Sequence, residues 1–426
     1  MKPDTTAVTF TAYQKLLIAL LALLQFTVVL DFMVLSPLGD ILMKSLDMTP
    51  SRFGMVVSSY AFSAGASGLL AAGFADRFDR KKLLVFFYSG FIIGTLCCGL
   101  ANSYWMLLGA RIFTGLFGGV IGAISLAVVT DVFEINQRGR VMGVVQMGFA
   151  ASQVLGIPVG LYFANKWGWH APFIMIVFLA IVIGLVVLLR MQPVTKHIGL
   201  QKDKNPFVHL WHSIANPKYQ TGFWATAFLS IGGFMMMPFG SAYLINNIGI
   251  SQEQLPTVFL CSGLASIIIM PMIGKLSDRY DKFKLFAAGS ALAIVMILIY
   301  TQLPRVPLWE VVVLNMIMFI GIMGRIIPST ALTTAIPEMV DRGAFMSVNS
   351  SLQQMAGGVA ALCAGLIVTQ PHKHGPLQHY DILGYVVCTA IVLCLYMVYR
   401  VSVMVKNKAA APPAIQQAES LNEALS

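Results

Sequence analysis

Three ionisable side chains stand deep inside long apolar runs: Asp31, Arg111 and Arg325. A charge at mid-depth in a bilayer costs roughly 2.5–3.5 kcal/mol on insertion scales, so each one calls for a partner or a task. Asp31 and Arg111 each lie about seven residues, or roughly 10 Å of helix, from the same end of their runs. Equal depth allows them to pair. The chemistry on offer is proton exchange at Asp31, whose proton affinity burial and Arg111 set in opposite senses. A static ion pair holding two helices together is the plainer alternative. No other charge lies deep inside the spans of the half that holds Arg325. Asn349 and Gln353 lie at similar depth and share a helix face at i, i+4, so the three are expected to form a polar wall of a substrate cavity. A guanidinium there could grip a carboxylate or phosphate with two parallel hydrogen bonds.

Weaker candidates follow. Gln146 and Gln153 are seven residues apart, close to one helix face, and could line a polar pocket or bridge helices. Tyr60 sits at about the depth of Asp31, to donate to a substrate or to pack. His372, His374 and His379 read as a solvated loop, and no metal site is expected. No phosphate-binding glycine loop, catalytic triad or zinc motif is present, so an enzyme is not expected. Cys97, Cys98, Cys261, Cys363, Cys388 and Cys394 fall in apolar runs without ligand spacing and read as small packing residues.

The elements that must position these residues follow from composition. The 426 residues are 57% hydrophobic and 11% charged, against roughly 25% charged in soluble proteins. Apolar runs of about 18–25 residues, each able to cross a bilayer as a helix, fall near 14–38, 52–74, 83–101, 104–130, 141–164, 171–190, 221–246, 254–276, 284–302, 308–332, 344–369 and 380–404. An all-α polytopic membrane protein of twelve spans is predicted, because open backbone groups cannot be satisfied in lipid. Placing the N-terminus in the cytoplasm leaves only Lys44, Arg52, Lys166, Arg305 and Lys373 in outer segments, so the excess of basic residues inside predicts both termini cytoplasmic. The net charge of +10 is explained by this topology and needs no nucleic-acid partner.

The chain also repeats itself. Asp76-Arg77-Phe78-Asp79-Arg80-Lys81-Lys82 returns as Asp278-Arg279-Tyr280-Asp281-Lys282-Phe283-Lys284. Gln137-Arg138-Gly139-Arg140 is echoed by Asp341-Arg342-Gly343, and Phe113-Thr114-Gly115 by Phe319-Ile320-Gly321, at nearly the same offset. Two six-helix halves related by an axis along the membrane normal are predicted: residues 1–190, a cytoplasmic linker 191–218 with a helical apolar face, residues 219–404, and a disordered cytoplasmic tail 405–426. In the loops, Asp76, Arg77, Arg80, Asp278 and Arg279 can cap helix ends or bridge to Glu134, Arg138, Glu338 and Arg342 of the opposite half as a cytoplasmic gate.

These residues resemble the major facilitator superfamily of secondary transporters, over nearly the whole chain. The family signature between helices 2 and 3 is G-x-x-x-D-R-x-G-R/K-R/K. Here it runs Ala72 to Lys81 and again from Gly274 to Lys282, with Ala72, Asp79 and Asp281 departing from the usual glycines. Arg111-Ile112-Phe113-Thr114-Gly115 is similar to the R-x-x-x-G element of helix 4. Gly156-Ile157-Pro158-Val159-Gly160 loosely resembles an exporter element, and Leu30-Asp31-Phe32 with Ser36-Pro37 the acidic helix-1 element of twelve-helix drug/proton antiporters. The resemblance implies a two-bundle fold, a cavity lined by helices 1, 4, 7 and 10, alternating access, and loop networks that hold the inner gate shut in the outward-facing state. It further implies a monomer in a bacterial inner membrane, a small-molecule substrate, no cofactor, and a proton gradient as driving force. Proton-coupled export of small amphipathic compounds is expected. Organic-anion or lysolipid transport, and a non-transporting receptor or assembly factor, are the alternatives.

Overall fold

A computed structural model describes residues 10–195, 198, 206–338, 341–372 and 375–410. Among them twelve helices are long and apolar enough to cross a membrane: α1 Ala12–Val34, α2 Pro50–Ala71, α3 Arg80–Gly99, α4 Tyr104–Val132, α5 Asn136–Trp167, α6 Ala171–Arg190, α7 Pro217–Ile248, α8 Leu255–Arg279, α9 Lys282–Thr301, α10 Leu308–Thr333, α11 Arg342–Ile367 and α12 Tyr380–Lys408. Each predicted span is present within a few residues.

Local chemistry starts these helices. Thr11 and Gln14 form a reciprocal capping box on α1. Thr49 caps α2 just before Pro50, and Ser103 caps α4. Asp79 accepts a hydrogen bond from the Lys81 N–H, and Asp281 from the Lys284 N–H. Two of the three departures from the family's glycines, Asp79 and Asp281, are thus the N-caps of α3 and α9, where a short carboxylate satisfies an otherwise orphaned amide.

Three spans are interrupted. α1 ends at Val34, earlier than the expected position 38, because Pro37 cannot continue the amide ladder; a short helix, Gly39–Ser45, follows. α5 contains a π turn at Ser152–Gly156, just before Pro158. α7 breaks at Met237–Phe239 around Pro238 and carries a second π turn at Leu244–Ile248. The linker holds the predicted helix, Pro206–Ala215, packed against α2 and α11; Trp211 on it is exposed. The expectation of a disordered tail from 405 is corrected in part. Helix continues to Ala410, tied by Lys406 to Asp281 and by Lys408 to the Ile336 carbonyl. Residues 411–426 lie outside the described residues.

Helices α1–α6 pack into one bundle and α7–α12 into another, and the two meet along α2 against α11 and α5 against α8. The first seam is close. A Cβ placed on Gly54 would lie 2.7 Å from the Ala361 carbonyl oxygen, and one on Gly365 2.9 Å from that of Pro50. Glycine is what lets these backbones approach.

Candidate functional site

Inside the first bundle, Arg111 of α4 reaches Asp31 of α1. Nη1 donates to Asp31 Oδ2 at 2.7 Å and to the Asp31 carbonyl at 3.4 Å. Thr95 of α3 donates to Oδ1 at 3.1 Å. Asp31 is 0% and Arg111 1% exposed. The guanidinium also lies over the Tyr60 ring, 4.3 Å from its centroid, and Tyr60 packs against Phe32 at 5.3 Å. Three helices therefore hold a carboxylate whose two oxygens are both engaged. The arrangement can keep a charge pair in a dry interior, or exchange the pair for a protonated acid and a freed guanidinium.

Phe32 forms part of a second feature, a cleft between the bundles at the meeting of α1, α2, α7 and α11. It is narrow, with about 20 Å³ open to the centre of a water-sized sphere. Phe32, Val57, Phe234, Met237 and Pro238 give it apolar walls, and Ser36 and Gln354 are the only side chains among its lining residues with hydrogen-bonding groups. Phe32 and Phe234 meet edge to face across the bundles at 6.1 Å. The break in α7 is what brings Met237 and Pro238 to this wall.

Beyond the cleft, at the end of the molecule away from the Lys/Arg-rich loops, the bundles are joined by polar contacts. Ser36 Oγ donates to the Met237 carbonyl, and Ser241 Oγ donates to the Ser36 carbonyl at 2.9 Å. Asp40, 1% exposed, accepts from Lys44 Nζ at 2.8 Å, Asn246 Nδ2 at 2.6 Å and Gln252 Nε2 at 3.2 Å. Lys44 also donates to Asn246 Oδ1 at 3.2 Å, and Asn165 to the Gln252 carbonyl at 2.8 Å. The far end is closed.

At the Lys/Arg-rich end the contacts seen among the described gate residues lie within one bundle. Arg80 Nε meets Asp131 Oδ2 of its own bundle at 3.0 Å and donates from Nη1 to the Ala75 carbonyl. Arg138 donates to the Phe133 and Thr130 carbonyls, the open C-terminus of α4. Orphan carbonyls at a helix end compete for a nearby guanidinium. Arg77, Glu134, Asp278, Arg279 and Arg342 are exposed. The Glu338 N–H donates to Tyr219 Oη, which itself donates to Asp341, again within one bundle. The Asp76 side chain lies outside the described residues.

The remaining cavity candidates are not brought together. Arg325 is 2% exposed and turns into the second bundle, toward Gly232 and Ile391, with Phe286 and the Cys394 thiol beside it. Nε and Nη2 have no hydrogen-bond partner. It does not line the cleft. Asn349 accepts from Thr226 at 2.7 Å, and Gln353 is exposed while its neighbour Gln354 faces the cleft. Tyr60 is buried against Arg111 rather than open to a substrate. Gln146 is exposed and Gln153 donates to Met33 Sδ at 3.7 Å; the π turn containing Gln153 disturbs the spacing that would have aligned them. His372 is exposed, His379 contacts Thr369 Oγ1, and His374 lies outside the described residues. Gln354 and the Asp40 cluster escaped the sequence reading. A polar residue on α11 one position from the one chosen, and an acidic residue just beyond span 1, were the available signals.

Residues 21–369 match the family model described as Major Facilitator Superfamily. The chain is 25% identical over 352 residues to the uncharacterized MFS-type transporter YbcL of Bacillus subtilis (strain 168), covering 82% of this chain and 88% of that one. It is 26% identical over 157 residues to a probable sugar efflux transporter of Helicobacter acinonychis (strain Sheeba), covering 37% and 40%. Its fold is similar to that of a D-xylose-proton symporter, with a TM-score of 0.74, 15% identity and coverage of 91% and 97%. It is also similar to an inward-facing bacterial homolog of the human lysosomal transporter Spinster, with a TM-score of 0.67, 16% identity and coverage of 93% and 95%. With twelve membrane-spanning helices in two bundles, a cleft between them and a family match over most of its length, the chain belongs to the Major Facilitator Superfamily and is a multi-pass membrane transporter rather than an enzyme.

Proposed function

We propose that this protein is a proton-coupled secondary exporter of small, largely apolar compounds, working by alternating access between two rocking bundles. The supporting observation is the placement of the Asp31–Arg111 pair. It is sealed from solvent, yet it reaches the cleft through two rings, Tyr60 and Phe32. Protonating Asp31 releases Arg111 and loosens the stack that forms one wall of the cleft, so proton and substrate compete through a shared set of contacts. One charge crossing 100 mV supplies about 2.3 kcal/mol, enough to bias such an exchange. The excess of Lys and Arg at one end supports placing that end in the cytoplasm, beneath a bacterial inner membrane. No cofactor is required, and one chain holds the complete pathway.

The test uses the full chain in proteoliposomes with an entrapped pH dye. An outward gradient of a transported compound should move protons through the wild type and not through Asp31→Asn. Undiminished substrate-driven proton movement in that variant overturns the coupling role.

A further inference from the structure

The two oxygens of the Asp31 carboxylate meet different kinds of partner. Oδ2 faces Arg111 Nη1 at 2.7 Å, and a guanidinium only donates. Oδ1 takes a hydrogen bond from the Thr95 hydroxyl at 3.1 Å, and a hydroxyl can donate or accept. Thr95 stands on α3 with 0% exposure, so this bond is made in the same sealed interior as the ion pair. One turn along α1, Thr27 shows what such a hydroxyl can do. Its Oγ1 donates to the Leu24 carbonyl of its own helix at 2.9 Å and meets the Tyr88 hydroxyl of α3 at 3.0 Å. A helical threonine can thus serve its own backbone and a neighbouring helix together. The titratable groups that face Asp31 are Arg111 from α4, Tyr60 from α2 and Cys98 from α3. α5 places Gly156 against Leu30 and Gln153 against Met33, and the one ionisable residue of α6 is Arg190, in its last turn.

We infer that Thr95 is a positioning residue for proton exchange: Asp31 takes its proton on Oδ1, and the Thr95 hydroxyl turns from donor to acceptor as it does so. The inference rests on the proposed coupling role of Asp31 and names the group that serves it. A proton on Oδ2 would point at the Arg111 N–H groups, which have no lone pair to receive it. A proton on Oδ1 points at the Thr95 oxygen. The Thr95 hydrogen then leaves Oδ1 and swings to a carbonyl one turn back on α3, that of Phe91 or Ile92, much as Thr27 serves Leu24. One O–H bond forms, with a proton drawn from the water outside, and no other covalent bond changes. Arg111 is not left bare, because Nη1 keeps the Asp31 carbonyl at 3.4 Å and the guanidinium keeps the Tyr60 ring at 4.3 Å. Both forms of Asp31 are thus satisfied from α3, which a serine at position 95 would preserve and a valine would not. Hydrogen bonds to a charged group are the stronger kind, so removing the hydroxyl costs the carboxylate more than the acid.

The test uses the full chain in proteoliposomes, with Thr95→Val, Thr95→Ser and Asp31→Asn beside the wild type. Infrared difference spectra between high and low pH should show a protonated-carboxyl C=O band in the wild type that Asp31→Asn lacks. Thr95→Val, nearly equal in shape, should move that band to higher frequency because the acid O–H has lost its acceptor, and Thr95→Ser should return it. The pH at which substrate-driven proton movement is half-maximal should rise by about one unit in Thr95→Val and return in Thr95→Ser. Thr95→Ala, which removes the hydroxyl without adding bulk, should move both readouts in the same sense and serves if the valine variant does not fold. An Asp31 band or a pH midpoint that both hydroxyl-free variants leave in place overturns the inference. So does a Thr95→Ser variant that behaves like Thr95→Val, since packing of the methyl group would then be the role. A wild type without an Asp31 band removes the coupling role itself and the inference with it, whereas a band that is present but unmoved by Thr95→Val fails the inference alone.

Discussion

Removing either partner of the Asp31–Arg111 pair strands the other in a place without water, and this asymmetry makes the pair testable. Breaking a buried pair from one side costs about 3–5 kcal/mol, whereas replacing both members by neutral groups can be close to neutral. Arg111→Gln should therefore lower the thermal unfolding midpoint in detergent strongly, and Asp31→Asn with Arg111→Gln should recover most of the loss. Single variants as stable as wild type would mean that the interior is wetter than 0% and 1% exposure implies. The pair was legible in the sequence because depth can be counted along a helix from its end. Azimuth cannot be counted so simply. Arg325 was matched with Asn349 and Gln353 at the right depth, yet its side chain turns toward α7, α9 and α12. Gln353 and Gln354 differ by about 100° of helix rotation, and only packing decides which one faces the cleft.

Among the elements, the start of α9 and the end of α12 are joined by Asp281 and Lys406, 2.7 Å apart. The Lys406 ammonium, with the Lys284 and Phe283 amides, holds the Asp281 carboxyl below its ordinary range. A carboxyl lowered in the folded state contributes stability that is complete above its unfolded pKa, about 3.9, and is lost as pH falls through the lower folded value. Melting curves of wild type and Lys406→Met should coincide less at neutral pH than at pH 3. The gap should be small, since the lysine is well exposed and water screens the pair. Element identity and extent were largely readable, because lipid admits only apolar helices of sufficient length. Interruptions were harder. Pro238 announced the break in α7, but no local preference marks the π turn at Ser152–Gly156 in α5, and it displaced the expected alignment of Gln146 with Gln153. Arg80 found Asp131, a partner inside its own bundle, because loop charges carry no record of which neighbouring helix end lies closer.

At the scale of the whole molecule, the closed far end depends on a buried carboxylate serving three donors from both bundles. Asp40→Ala removes the acceptor shared by Lys44, Asn246 and Gln252. Each 1.4 kcal/mol lost from closure multiplies the far-side-open population about tenfold. A cysteine placed at Val57 should accordingly react severalfold faster with a membrane-impermeant maleimide from the far side when combined with Asp40→Ala, and protection by the near-side route should rise in step. Unchanged labelling would assign Asp40 to local folding of the Gly39–Ser45 helix alone. The same end carries a further consequence. The chain is broken twice there, after α1 and within α7, and each break supplies the hydrogen-bonding group that the other lacks: Ser36 serves the Met237 carbonyl, and Ser241 serves that of Ser36. Parting the bundles uncovers both carbonyls at once, and only solvent can take over. Opening this end is therefore a wetting transition, with a rate set by the activity of water. Solutes too large to enter the cleft should slow it in proportion to the osmotic pressure they exert.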